Sequence, residues 1–243
     1  MEYPKPIEVD FKDRRTVRQI NNNKIVFESL IKGDLKTFNE NINRKEYERT
    51  LANFEDELTE TELLLKCKED HYFAKMSSMH ISKNASRQGS KDETEQLRTC
   101  NITAKKCGCE IINLSNTEFR PTKNGSIISN SEMVKKGIQK DCCLKSFDGK
   151  ILGKINGFIS AKVAYGSGGH QDNVFEEMDI VAEWWNKYKS ETGEFLIVLM
   201  DTDLIPKFTR IKEKYNNVNN IMVFNHIQFQ QYMINTYYID ESM

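Results

Sequence analysis

The sequence is poor in the residues and patterns that define several protein classes. Six cysteines in 243 residues are too few for a disulfide scaffold, and Cys142 and Cys143 are adjacent, so reduced thiols in a cytoplasmic protein are expected. No window approaches the roughly 18 consecutive apolar residues of a membrane span, and mean hydropathy is −0.63. The opening MEYPKPIEVDFKDRR has no apolar stretch of signal-peptide type. With 12 Gly and 4 Pro, a collagen-like chain is excluded. An apolar content of 38% supports a buried core in one large domain, or one domain with an appendage.

Charge of either sign is also lacking in the total, which is −1. The segments differ. Residues 1–75 hold 14 Lys+Arg against 16 Asp+Glu, residues 76–162 hold 15 against 8, and residues 163–243 hold 6 against 12. One basic block of net +7 thus lies between two acidic ones. Counterion release on nucleic acid depends on local charge, so a phosphate-contacting face is compatible with the neutral total.

From Ile25 to Asp70 apolar residues recur three and four apart, and Leu51, Phe54 and Leu58 fit one stripe; a helical N-terminal part over 1–80 is predicted. MHISKNASRQGSKDE reads as a loop, with Ser90 as N-cap and Glu93 in capping-box position for a helix to about Ala104. Short strands follow Gly108. KDCCLKSF and KINGFISAKV are predicted to form an antiparallel hairpin through FDGKILGK, with Phe158, Ser160 and Lys162 on one face of the second strand. QDNVFEEMDIVAEWWNKYK is an amphipathic helix with Val174, Met178, Val181, Trp185 and Tyr188 on one side. EFLIVLM is a buried strand, Pro206 opens another helix, IMVFNHI is a strand, and QFQQYMINTYY is a final helix. The order defines an α/β core over 81–243 with a mixed sheet.

Asp141, the run Ser160-Ala161-Lys162 and the pair Glu176-Glu177 stand at the ends of these elements. This arrangement resembles the PD-(D/E)XK nucleases, and among them the type II restriction endonucleases. Lys140-Asp141 stands for that family's Pro-Asp pair, and Ser160-Ala161-Lys162 stands where its acid-x-Lys run would be. Ser160 departs from that pattern. One subgroup has a similar Ser-x-Lys, with the carboxylate supplied from the following helix by a segment resembling Gln-Asn-Val-x-x-Glu. Here Asn173-Val174-Phe175-Glu176-Glu177 selects Glu177. At about 100° per residue Glu177 lies beside the apolar face and Glu176 nearly opposite, so Glu176 is the reserve.

The resemblance implies a restriction-endonuclease-like sheet flanked by helices, and Mg²⁺-dependent cleavage of double-stranded DNA to 5′-phosphate ends by a homodimer. It implies Asp141, Glu177 and the Ala161 carbonyl as Mg²⁺ ligands, Lys162 at the scissile phosphate and attacking water, and Ser160 as part of the catalytic run. Register decides whether Asp141 reaches Lys162. A tight turn at Asp148-Gly149 pairs Asp141 near Asn156, whereas a wider loop over 148–154 brings it to Lys162.

Lys83, Asn84, Arg87, Gln88 and Lys91 mix charge and amide groups suited to phosphates and base edges. Arg120, Lys123 and Asn124 form a second candidate patch, and His170 and Gln171 follow the Gly-rich break where backbone can approach DNA.

Structural alternatives accompany each of these readings. Lys162 can be a solvated strand-end charge, Glu176 and Glu177 first-turn acids favoured by the helix dipole, and Lys83 to Lys91 a solvated loop. Glu93 fits a cap, although related nucleases often bring a helix acid near the metal. Cys107, Cys109, Cys142 and Cys143 lack CxxC spacing for zinc, the histidines are scattered, and GSGGH lacks the Lys-Ser/Thr of a P-loop. A non-catalytic DNA-binding protein on the same scaffold and a repair or structure-specific nuclease are the alternative functions.

Overall fold

A computed structural model of the chain describes residues 4–52, 59–115, 118–166 and 169–238, with the side chains of Thr50 and residues 169–172 outside that description. Phe54 and Leu58 of the expected stripe also lie outside the described residues. The chain divides into a helical unit, residues 10–88, and an α/β unit made of residues 1–9 and 89–243. The division lies at Gln88, so residues 81–88 fold with the helices and not with the core to which their composition assigned them.

The helical unit contains α1 (Phe11–Lys32), α2 (Leu35–Asn41), α3 (Arg44–Ala52), α4 (Glu60–Glu69) and α5 (His71–Ile81). Asp10, Asp34, Thr59 and Asp70 each cap a helix by accepting backbone N–H bonds, satisfying donors that have no partner inside the helix. Val26, Leu30, Phe38, Tyr47, Leu63 and Ala74 are buried together and form its core.

In the α/β unit, α6 (Gly89–Lys106) leads to β1 (Cys109–Asn113), a small pair β2 (Arg120–Pro121) and β3 (Ile127–Ile128), and α7 (Asn130–Lys135). Next come β4 (Gly149–Gly153), β5 (Gly157–Ala164), α8 (Gly169–Lys189), β6 (Phe195–Thr202), α9 (Ile205–Tyr215), β7 (Ile221–Phe224) and α10 (His226–Tyr237). A five-stranded mixed sheet has the order β1-β4-β5-β6-β7. β1, β4 and β5 are antiparallel, and β5, β6 and β7 are parallel. The parallel connections require crossovers, which α8 and α9 provide.

Both faces of the sheet are covered, which explains the unbroken apolar run in β6. Leu196, Val198 and Met200 join Phe158 and the α8 and α9 side chains Met178, Trp185, Phe208 and Ile211. The alternate residues Ile197 and Leu199 join Ile151, Ile159, Leu97 of α6 and Phe229 and Met233 of α10. The period-two alternation of a strand thus divides two cores. No helix among the described residues is long and apolar enough to cross a membrane.

The β4–β5 hairpin lies further along the chain than its sequence suggests. Gly149 pairs with Ile159 and Ile151 with Gly157, so the turn is Lys154-Ile155-Asn156. KDCCLKSF is not a strand: Lys140–Cys142 is a single 3₁₀ turn, and Cys143 makes an isolated bridge to Thr122. The Asp-Gly step that reads as a turn instead admits β4 between two neighbours. A Cβ at Gly149 would lie 3.4 Å from the Ile112 carbonyl oxygen.

Gly157 is tighter still. A Cβ there would lie 2.0 Å from the Phe195 carbonyl oxygen, a backbone atom of the adjoining parallel strand. Gly157→Ala is therefore expected to cost roughly 3 kcal/mol of stability, read as a lower urea midpoint. An unchanged midpoint would show that the strand edge shifts without cost.

Candidate active site

The segment before β4 is fixed by packing. Phe147 is buried, with its ring 4.7 Å from that of Phe158 and 5.9 Å from that of Trp185. Its N–H donates to the Phe119 carbonyl at 3.1 Å. The next residue, Asp148, donates its N–H to the Ile159 carbonyl, and its Oδ2 accepts the Ala161 N–H at 2.8 Å. The carboxylate beside Lys162 therefore belongs to Asp148, not Asp141. Asp141 is exposed in the 3₁₀ turn, seven residues before Asp148, which lies beside Ile159–Ala161 of β5. Neither turn considered for the hairpin occurs, because the chain enters the sheet only after Phe147.

Lys162 Nζ lies 3.5 Å from Asp148 Oδ2 and 3.1 Å from Glu93 Oε1, and donates to the Ala161 carbonyl at 2.8 Å. Its side chain is only 12% exposed, so it is not a solvated edge charge. α6 begins at Gly89, which places Ser90 inside the helix, and the Glu93 carboxylate is directed to Lys162. The expected Ser90 N-cap is thus replaced by a contact across the unit. Glu177 of α8 is half-buried and pairs with Lys145, whereas Glu176 is exposed. The helical phase that separates these two glutamates is the one the sequence predicts.

Burial pushes the carboxyls of Asp148 and Glu93 above the usual carboxylate range, against the pull of Lys162. Glu177 adds like-charge repulsion to both. Burial would lower Lys162, but Asp148, Glu93 and Glu177 together outweigh it and hold the ammonium above its ordinary value. The site is an enclosed cation among three acids.

Ser160 is buried directly beside this cluster, in β5 opposite Val198. Behind it, Gln96 Nε2 lies 3.4 Å from the Lys162 carbonyl oxygen and donates to Asp201 at 2.6 Å. The other Asp201 oxygen meets His226 Nδ1 at 2.6 Å, and His226 Nε2 accepts the Val9 N–H at 3.1 Å. His226 thus belongs to a buried polar seam.

Among the described residues no three His, Cys, Asp or Glu side chains are arranged as a ready cation cage. All six cysteines are free thiols. Mg²⁺ is ordinarily held by one or two carboxylates, with other oxygens and waters completing the shell. Asp148, Glu177 and the Ala161 carbonyl are hard-oxygen donors of that kind, and Glu93 is a further one.

Some of the expected DNA-contacting residues have structural partners. Lys83 donates from Nζ to the Glu40 carbonyl, and its own carbonyl accepts from Asn22 at 2.8 Å. Asn84 caps a 3₁₀ turn over Ala85–Arg87, and Arg87 lies 3.5 Å from Glu46. A buried oxygen of Gln88 has no hydrogen-bond partner among the described residues, while Lys91 is exposed on the first turn of α6. Arg120 is half-buried in β2, and Lys123 is exposed at the β2–β3 turn, where its carbonyl accepts from Tyr188 at 3.1 Å. The side chains of His170 and Gln171 lie outside the described residues.

Asp148 and Glu93 are the site residues that sequence reasoning misplaced or undervalued. Phe147 before Asp148 is the available signal, a large apolar residue that anchors the entry to a strand. No family model, curated protein or solved structure matches the chain.

Proposed function

We propose that the protein is a Mg²⁺-dependent endonuclease of double-stranded DNA, with a restriction-endonuclease-like core and the activity of a type II restriction enzyme. The observation that carries this reading is the convergence of Asp148, just before β4, with Lys162 of β5, Glu93 of α6 and Glu177 of α8. When bound, Mg²⁺ supplies Lewis-acid stabilisation and a more acidic water. Asp148 and Glu177 would hold it with the Ala161 carbonyl, and Glu93 would be a further acidic neighbour. Lys162, kept protonated by its acids, stabilises negative charge developing on the phosphate and orients the attacking water. Ser160 supplies no carboxylate, so the acid of that run is replaced by Glu177. A homodimer would match the two-fold symmetry of a palindromic site.

Purified protein incubated with mixed-sequence plasmid and Mg²⁺ is expected to give discrete fragments, and none with EDTA. Glu177→Ala is expected to abolish cutting while Glu176→Ala retains it. Absence of cleavage with any divalent cation would overturn the nuclease assignment, and the reverse order of the two glutamates would overturn the assigned ligand set. The absent acid at Ser160 favours one other reading, a DNA-binding protein without catalysis, which requires cation-independent binding that is indifferent to Lys162→Ala.

A further inference from the structure

Lys145 is a second lysine at the acidic cluster, and its setting differs from that of Lys162. Its side chain is 68% exposed, and its ammonium pairs with Glu177, whose side chain is 18% exposed. Lys162, by contrast, is enclosed by Glu93 and Asp148. The backbone on either side of Lys145 is clamped. The Leu144 N–H donates to Pro121 at 2.8 Å, and the Phe147 N–H donates to Phe119 at 3.1 Å. The base of the Lys145 side chain is therefore held three residues before Asp148, while its long stem faces solvent and leaves the tip able to swing.

Charge gives this geometry a consequence. Three carboxylates and two ammoniums leave the cluster one negative charge, which disfavours an approaching phosphodiester. A divalent cation reverses the sign to plus one, and a single phosphodiester then brings it to zero. The cation and the Lys145 ammonium compete for the same Glu177 carboxylate.

We propose that Lys145 is an exchangeable counterion. It neutralises Glu177 before the divalent cation arrives, is displaced when the cation binds, and then contacts a backbone phosphate of the DNA on the open side of the site. This rests on the nuclease reading. It adds a phosphate-positioning residue whose engagement depends on the cation.

The test uses the full chain, with Ca²⁺ as the cation probe and a fluorescent mixed-sequence duplex as the DNA probe. Lys145→Met is expected to tighten Ca²⁺ binding several-fold by calorimetry, because the competing ammonium is gone. In Ca²⁺ it is expected to weaken duplex binding and lower the salt slope of log Kd by about one, the loss of a single phosphate contact. In EDTA the same substitution is expected to leave duplex binding unchanged, and Lys145→Arg to restore the wild-type behaviour in Ca²⁺. Equal DNA losses with and without Ca²⁺ would reduce Lys145 to ordinary surface charge and overturn the proposal. So would an unchanged or weaker Ca²⁺ affinity in Lys145→Met. If the wild type binds both probes and Lys145→Met matches it, only this inference falls. If the wild type binds neither, the nuclease reading falls with it.

Discussion

Asp148→Asn is expected to abolish Mg²⁺-dependent DNA cleavage, whereas Asp141→Asn leaves it intact. The amide retains an oxygen to accept the Ala161 N–H, so the bond that holds residue 148 beside the middle of β5 is kept. What is lost is the negative charge 3.5 Å from Lys162 and a hard-oxygen ligand for the cation. Loss of a preorganised electrostatic group costs roughly 10²–10³-fold in rate, and loss of a metal ligand adds to that. Asp141 is exposed in a separate 3₁₀ turn, where its charge has no route to the reacting phosphate. Plasmid cleavage by the two variants, with circular dichroism to verify folding, decides between them. Activity retained in Asp148→Asn and lost in Asp141→Asn would refute the assigned register.

Lys162→Met is expected to remove cleavage and also to destabilise the fold in a pH-dependent way. Removing one partner of a buried ion pair costs roughly 3–5 kcal/mol. The lower end applies here, since Glu93 and Asp148 retain 20% exposure each and can take up protons. Burial already raises both carboxyls, and loss of the ammonium raises them further. A carboxyl whose folded pKa lies above its unfolded pKa contributes stability below the unfolded value and loses it as pH rises through the folded value. The deficit of Lys162→Met against wild type is therefore expected to be small near pH 4, in the ordinary carboxylate range, and to grow as pH rises above that range. Urea unfolding at a series of pH values measures it. A deficit that does not change with pH would show that lost packing of the aliphatic stem, rather than charge, is responsible.

The sequence was most legible where one pattern controlled the outcome. The α8 stripe of Met178, Val181 and Trp185, the apolar run of β6 and Pro206 at the start of α9 each have a single reading, and the structure has those elements. The phase of α8 also separated Glu177 from Glu176. The site was less legible because two of its residues mimic common local signals. Asp148-Gly149 has the composition of a hairpin turn, yet Gly149 serves close strand approach. Glu93 has capping-box spacing from Ser90, but helix α6 starts at Gly89, two residues earlier than an N-cap at Ser90 would give, and Glu93 makes a long-range ion pair. Lys83 and Arg87 have the composition of a DNA-reading loop, and each also has a partner in the helical unit, the Glu40 carbonyl and Glu46. Local composition does not disclose such partners.

Residues 7–9 belong to the α/β unit although the helical unit follows them in the chain. Ile7 exchanges backbone bonds with the Gln230 side chain at 2.9 and 3.0 Å, and the Val9 N–H reaches His226. The helical unit is thus a guest inserted into a host that begins before it and resumes after it. Trimming the chain from the front to isolate the α/β unit would strip the host of that segment and remove the Ile7 and Val9 bonds to the buried Gln230 amide and His226 imidazole. Replacing residues 10–88 by a short linker between Val9 and Gly89 preserves that segment, and makes the inserted helices the exchangeable part.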